Sequence, residues 1–309
     1  PGLSVPLSAV NSLRRQALEE LDRARTQPPA RRTLPFVPAA PERERAGAPA
    51  FTLSFRRWEQ LTPDCLDQGP ALVYLPCQEL PGHEDALRRW AQAYPDIGFG
   101  VVLPRVVWDR ELPRLRRELE AARQAGVTQA LLGHIGQLPL ARSFGLTPRG
   151  DFGLGLTNDE TAAELARLGF ASATASFESR LAQIRDLSKP LDLELLVYGR
   201  LPLMLMEHCI LRNRGQGCHC QDKPQSLGDR KGEHFPVESA WGCRNELFNA
   251  KPLWLADKTD WRTAGAAYAR LAFLREGPGE CARVFRAYRE GAGEPPRAFT
   301  RGLYYRGVE

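Results

Sequence analysis

The chain has 309 residues, 43% of them hydrophobic and 26% charged, a profile that excludes a disordered or fibrous protein and leaves room for one large or two small domains. It contains no run of 18 apolar residues, which excludes a membrane-spanning helix, and its first residues lack the apolar core of a signal peptide. The net charge is +5, carried by 37 Arg and 5 Lys interspersed with acids, so the basic excess by itself is a weak signal for nucleic acid.

Residues 7–26, LSAVNSLRRQALEELDRART, place Leu13, Ala17, Leu18 and Leu21 at helical spacing. The chain starts at Pro1 rather than Met, so 1–26 is expected to be a helix left from a truncated preceding domain. Residues 27–50, rich in Pro, Ala and Arg, have no periodicity and are expected to be a linker.

From residue 51 short apolar runs alternate with helical patterns. The expected strands are 51–55, 71–76, 97–104, 128–134, 152–156, 172–177, 193–199 and 269–274, with 252–256 as a further candidate. The expected helices are 84–94, 108–126, 158–170, 177–187 and 279–290; Asn158 suits the N-cap of the third of these. Eight strand–helix units at this spacing predict an α/β fold, a (β/α)8 TIM-like barrel over 51–309. A cysteine-rich loop, 200–252, is then an insertion near the C-terminal end of the seventh strand.

Seven cysteines in a chain without a secretion signal argue against a disulfide framework and for the cytoplasm. Four of them, Cys209, Cys218, Cys220 and Cys243, fall within 35 residues. Four thiolates can hold a 4Fe-4S cluster or a zinc ion. The segment has no CxxC pair, which favours iron–sulfur, and His208 or His219 is able to replace a thiolate. The bland alternative is four buried thiols without a metal.

Strand ends in a barrel face the active site. That nominates His134, Glu178 and Tyr198 as catalytic groups, with Asn158 and Arg200 as substrate contacts. Arg200, Arg244 and Arg301 are suited to clamp a carboxylate or phosphate. No GxSxG, HExxH or phosphate-binding glycine loop is present, so hydrolysis has no motif of its own.

The strings VYGRLPLMLMEHC, LGDRKGEHFPV and GCRNELFNAKPL resemble the cysteine-bearing signature of the U-32 peptidase family, the collagenase-like proteins. PLSAVNSLRRQALEEL resembles the segment closing a middle domain of long members, and GFASATASFESRLAQIRDL and FTRGLYYRGVE resemble later parts of the family barrel. The resemblance implies a barrel with an oxygen-sensitive 4Fe-4S cluster held by Cys209, Cys218 or Cys220, and Cys243. It also implies a preceding barrel in the same polypeptide, and hydroxylation of an RNA base or a ubiquinone precursor. The expected partner is therefore RNA or a small anionic aromatic substrate, and no membrane. The alternatives are a collagenase-like hydrolase and a non-catalytic, metal-stapled module that docks RNA or the first barrel.

Overall fold

A computed structural model of the chain describes residues 2, 4–33, 35, 37, 47–212 and 224–308. The chain divides into two units, residues 1–38 and 39–309. The first contains helix α1, Leu7–Thr26, as the spacing predicts; none of its residues is buried. The described residues of 27–49 form no helix or strand.

The second unit is a closed barrel of eight parallel strands: β1 (Ala50–Phe55), β2 (Leu72–Pro76), β3 (Gly98–Val102), β4 (Gln129–Leu132), β5 (Thr147–Gly150), β6 (Ser172–Thr174), β7 (Asp192–Gly199) and, last in the chain, β13 (Tyr268–Phe273). β13 pairs with both β7 and β1, and β6 pairs with β7, which closes the circle. The connecting helices are α2 (Pro63–Leu66), α3 (Glu84–Ala93), α4 (Leu112–Gln124), α5 (Leu138–Ser143), α6 (Asp159–Arg167) and α7 (Leu181–Asp186), with α8 (Pro278–Glu290) after β13. The (β/α)8 expectation therefore holds.

One strand lies elsewhere than expected. The fifth is Thr147–Gly150, and Phe152–Leu154 of the apolar run 152–156 is a 3-10 turn beyond it. Residues 147–150 read TPRG, which carries no apolar alternation because Arg149 points into the barrel.

Strand alternation separates two interiors. Leu53, Val73, Leu75, Val101, Ala130 and Leu132 face outward and pack with Leu87, Leu115 and Leu119 of the helices. The alternate residues fill the barrel, and they are mostly polar: Thr52, Tyr74, Gln129, Arg149, Ser172, Thr174, Glu194 and Arg270. Arg270 donates to Asp151 at 2.6 Å and to Thr174 at 2.7 Å, and its Nε lies 3.3 Å from Glu194. Glu194 also accepts from the hydroxyls of Thr52 at 2.6 Å and Thr174 at 3.0 Å. Burial disfavours the charged Arg270, but the carboxylates of Glu194 and Asp151 outweigh it and hold the guanidinium firmly protonated. Gly100 makes room beside this lattice: a Cβ there would stand 2.8 Å from the Tyr74 ring.

The expected cysteine-rich loop is itself folded. Between β7 and β13 run β8 (Pro202–Met206), β9 (Gln225–Gly228), β10 (His234–Ala240) and β11 (Arg244–Phe248), an antiparallel sheet in the order β8-β11-β10-β9. The short β12 (Leu253–Trp254) then returns antiparallel to the end of β7. The sheet strands are short, with Leu205 and Phe248 turned toward the barrel and Leu203 and Met204 exposed. No helix among the described residues is long and apolar enough to cross a membrane.

Candidate functional site

The four-stranded sheet lies over the C-terminal mouth of the barrel as a cap and encloses a cavity of roughly 180 Å³. Its apolar wall includes Val102, Leu131, Leu196, Phe152, Trp241 and Phe248. Five arginines line it, Arg56, Arg105, Arg200, Arg244 and Arg270, against two acids, Asp151 and Glu246. Such a chamber, apolar with an excess of cations at the strand ends, suits a small anion with a flat or apolar body.

Ion pairs clip the cap to the rim. Glu246 of β11 accepts from Arg56, just past β1, at 3.0 Å and from Arg105, just past β3, at 2.5 Å. Glu238 of β10 pairs with Arg275, and Arg57 approaches it at 3.6 Å. Trp241 donates its indole N–H to Glu118 of α4 at 2.7 Å. These contacts are partly shielded from water, so each is stronger than an exposed surface pair.

Arg244 has another task than the substrate clamp expected of it. Its Nε and Nη2 donate to Glu207 at 2.6 and 3.0 Å, both Nη atoms donate to Glu111 at 3.1 Å, and Nη1 also reaches the Trp241 carbonyl at 3.2 Å. All five N–H donors of the guanidinium are thus engaged, and the side chain is 2% exposed. The Arg244 hydrogen bonds, with the Trp108 N–H, hold the Glu111 carboxyl below the usual range in spite of its partial burial.

The two described cysteines of the expected cluster come to one end of the cap. β8 and β11 pair antiparallel with Met206 opposite Asn245, Glu207 just beyond accepts from Arg244, and the chain then leaves the ladder toward Cys209 at the same end of the cap that holds Cys243. Cys209 is half-buried and Cys243 exposed. Cys243 and the preceding Gly242 both have positive φ, 64° and 74°, within the turn Trp241–Cys243 that joins β10 to β11 past the Ala240–Arg244 pair. A thiol after β8 and another in the β10–β11 turn are of the donor type that a thiolate-bound metal requires. Cys218 and Cys220 lie outside the described residues, as does His219. Among the described residues no group of three or more His, Cys, Asp and Glu is placed to hold a metal ion.

The other expected site residues are scattered. Arg200 lines the cavity and donates to the carbonyls of Asn249 and Ala250; burial lowers its affinity for a proton. Tyr198 faces away from the barrel interior, donating to Glu276 at 2.9 Å within a layer formed with Trp254, Phe273 and Tyr288. Its burial and the Glu276 carboxylate push the phenol far above its ordinary pKa. Asn158 is exposed and caps α6 by accepting from the Thr161 N–H at 2.9 Å. His134 and Glu178 are exposed on loops, and none of His134, Asn158, Glu178 or Tyr198 lines the cavity. Arg301 forms a two-pronged pair with Asp257 at 2.5 and 2.6 Å and so fastens the C-terminal segment beside β12. The four side chains expected to share a pocket do not meet under the cap: Tyr198 faces the helix layer, Asn158 caps α6, and His134 and Glu178 are exposed.

Sequence reasoning missed Arg56, Arg105, Asp151, Glu246 and Arg270. Arg56 and Arg105 directly follow apolar runs, LSF and VVLP, which was the available signal. Asp151 follows the true fifth strand and was masked by the displaced one. Arg270 and Glu194 are opposite charges inside two apolar strand patterns, the mark of a paired interior.

No family model matches the sequence, and no curated protein matches it. Several solved structures are similar at low identity. A U32 peptidase is 12% identical with a TM-score of 0.44, over 77% of this chain and 98% of that one. A tryptophan synthase α-subunit from Pyrococcus furiosus is 9% identical with a TM-score of 0.45, over 79% of this chain and 99% of that one. A 3-hexulose-6-phosphate synthase is 12% identical with a TM-score of 0.42, over 79% of this chain and 100% of that one. The fold stated above rests on the chain's own strand pairing.

Proposed function

We propose that the chain is a U32-type barrel enzyme, or one half of such an enzyme, that takes a small anionic aromatic molecule or an RNA base into the cavity beneath the cap and supports its hydroxylation. The single observation that carries this reading is the position of the Gly242–Cys243 turn: the residues on either side of it, Trp241 and Arg244, line the arginine-rich cavity. A thiolate metal centre at that turn and a ligand under the cap would be neighbours through two side chains.

The cluster would be held by Cys209, Cys218, Cys220 and Cys243, and when bound it supplies one-electron redox chemistry. An oxygen-sensitive centre of that kind suits the reducing cytoplasm. The protein's own groups bind and orient. Arg200 and Arg105 present cationic faces to an anionic substituent, Phe152 and Trp241 offer ring faces to a flat body, and the cap excludes water. Asp151, at the end of β5 and hydrogen-bonded to Arg270, is the one acid on the cavity floor and accepts from a donor on the ligand. For collagenase-like hydrolysis the cavity wall offers, among the described residues, a single hydroxyl, Ser54, and no thiol.

Anaerobic purification tests the reading. A brown protein with a broad visible band and about four irons per chain is expected. A colourless protein that retains one zinc and takes up no iron and sulfide on reconstitution overturns the cluster, and cavity ligands that bind equally well to an Arg200→Met variant overturn the anion site.

A further inference from the structure

We infer that Glu111 and Glu118, two acids of the segment that follows β3, are positioning residues that set Cys243 in its left-handed conformation at the end of the cap where β8 leads on to Cys209. The inference rests on the reading of these cysteines as metal ligands and extends it to residues no cysteine motif contains.

A cysteine gains nothing intrinsic from a positive φ; outside glycine, that conformation persists only where its surroundings impose it. Here the imposing contacts flank the turn on both sides. Ahead of it, the Trp241 indole donates to Glu118 at 2.7 Å and lies under the Arg114 guanidinium at 4.8 Å. Glu118 is itself nearly buried and is held by Arg114 at 2.8 Å and the Cys77 thiol at 3.0 Å, so it is a fixed acceptor. Behind the turn, Arg244 is gripped by Glu111 through both Nη atoms at 3.1 Å. With Trp241 and Arg244 both anchored to the barrel, the chain must reverse within Gly242 and Cys243.

The turn is also packed onto one of these anchors. A Cβ on Gly242 would stand 2.1 Å from the Arg244 Nη1 and 2.8 Å from the Glu111 Oε1. The second cysteine segment is tied to the same guanidinium, because Glu207, two residues before Cys209, accepts from Arg244 at 2.6 Å. Arg244 therefore joins the two cysteine-bearing segments, and Glu111 joins that junction to the barrel. Residues behind a metal's ligands fix where the ligands point, and their loss weakens metal binding by about tenfold to a hundredfold.

The test uses Co2+ alone as an anaerobic probe of the thiolates in the whole chain, read by its thiolate-to-metal charge-transfer band. The wild-type protein is expected to show the band. Glu111→Gln and Glu118→Gln are expected to weaken Co2+ binding about tenfold or more and to change the band, with the metal-free far-UV spectrum unaltered. Trp241→Phe, which keeps the ring and removes only the donor, should reproduce Glu118→Gln, and the pair together should be no worse than either alone. A wild-type band with unchanged affinity in Glu111→Gln and in Trp241→Phe overturns the inference and leaves the ligand reading standing. A wild-type protein with no thiolate band overturns the reading and the inference with it. Should a glutamine variant fail to fold, Trp241→Phe alone decides.

Discussion

Replacing Arg270 with Met is the sharpest test of the polar barrel interior. The guanidinium is 4% exposed, and the substitution keeps an unbranched apolar stem while removing its contacts to Asp151 at 2.6 Å, Thr174 at 2.7 Å and Glu194 at 3.3 Å. Glu194 is 1% exposed and is left as a buried carboxylate with two threonine hydroxyls; Asp151, at the cavity floor, still reaches solvent. Stranding one buried charge costs about 3–5 kcal/mol. For a barrel of this size that corresponds to a fall in Tm of roughly 6–20 °C. Adding Glu194→Gln removes the stranded charge while Thr52 and Thr174 keep a partner, so the double variant should recover half of the loss or more. Urea denaturation at neutral pH of the wild type, both single variants and the double variant gives the four free energies needed. A single-variant loss below about 1 kcal/mol, or a double variant no more stable than Arg270→Met, would falsify the claim that this lattice is a paired interior.

Three further outcomes are expected. Glu246→Ala leaves Arg56 and Arg105 without their shared acceptor; it should cost about 1–2 kcal/mol and raise hydrogen exchange in β8, β10 and β11, while unchanged protection there would show that the clip does not hold the cap. Cys243→Gly relieves a positive φ of 64°, so the metal-free protein should gain about 1 kcal/mol in denaturant unfolding, and a loss of stability would count against strain at this turn. Partial desolvation of the ring, on a side chain that is otherwise exposed, holds the His134 imidazole below its ordinary value of 6.5. The unfolded chain therefore takes up a proton first as pH falls through 6.5, and His134 should subtract stability increasingly until its own folded midpoint is passed; an NMR titration of His134 with a midpoint at or above 6.5 contradicts this.

The barrel was legible in the sequence because outward-facing residues of each strand meet helices and must be apolar, which leaves alternating runs such as ALVYLP and LELLVYG. The fifth strand was not, because TPRG turns Arg149 inward and exposes Thr147, while the more apolar FGLGL beyond it is drawn into a turn. The cysteine segment read as a loop because its glycines and charges stood out; PLMLM, HFPVESA and RNELF lack a clean polar–apolar alternation, and the pairing of β8 with β11 joins segments well apart in the sequence. Charged residues were the least legible. Spacing marks Arg200, Arg244 and Arg301 equally, and only the fold reveals that Arg301 grips Asp257 and that Arg244 has no donor to spare.

The cap is rooted in two adjacent strands, β7 and β13, while its clips reach Arg56, next to that root beyond β1, and Arg105, across the opening beyond β3. It therefore spans the mouth as a plank does, supported at one end by covalent chain with Arg56 beside it and at the other by the Arg105 side chain. The clearance beneath it is fixed by the reach of those side chains rather than by strand number. A change of one methylene at Arg56, Arg105 or Glu246 would re-gauge the chamber without disturbing a single barrel strand, so the size of the accepted molecule is free to vary while the barrel stays the same.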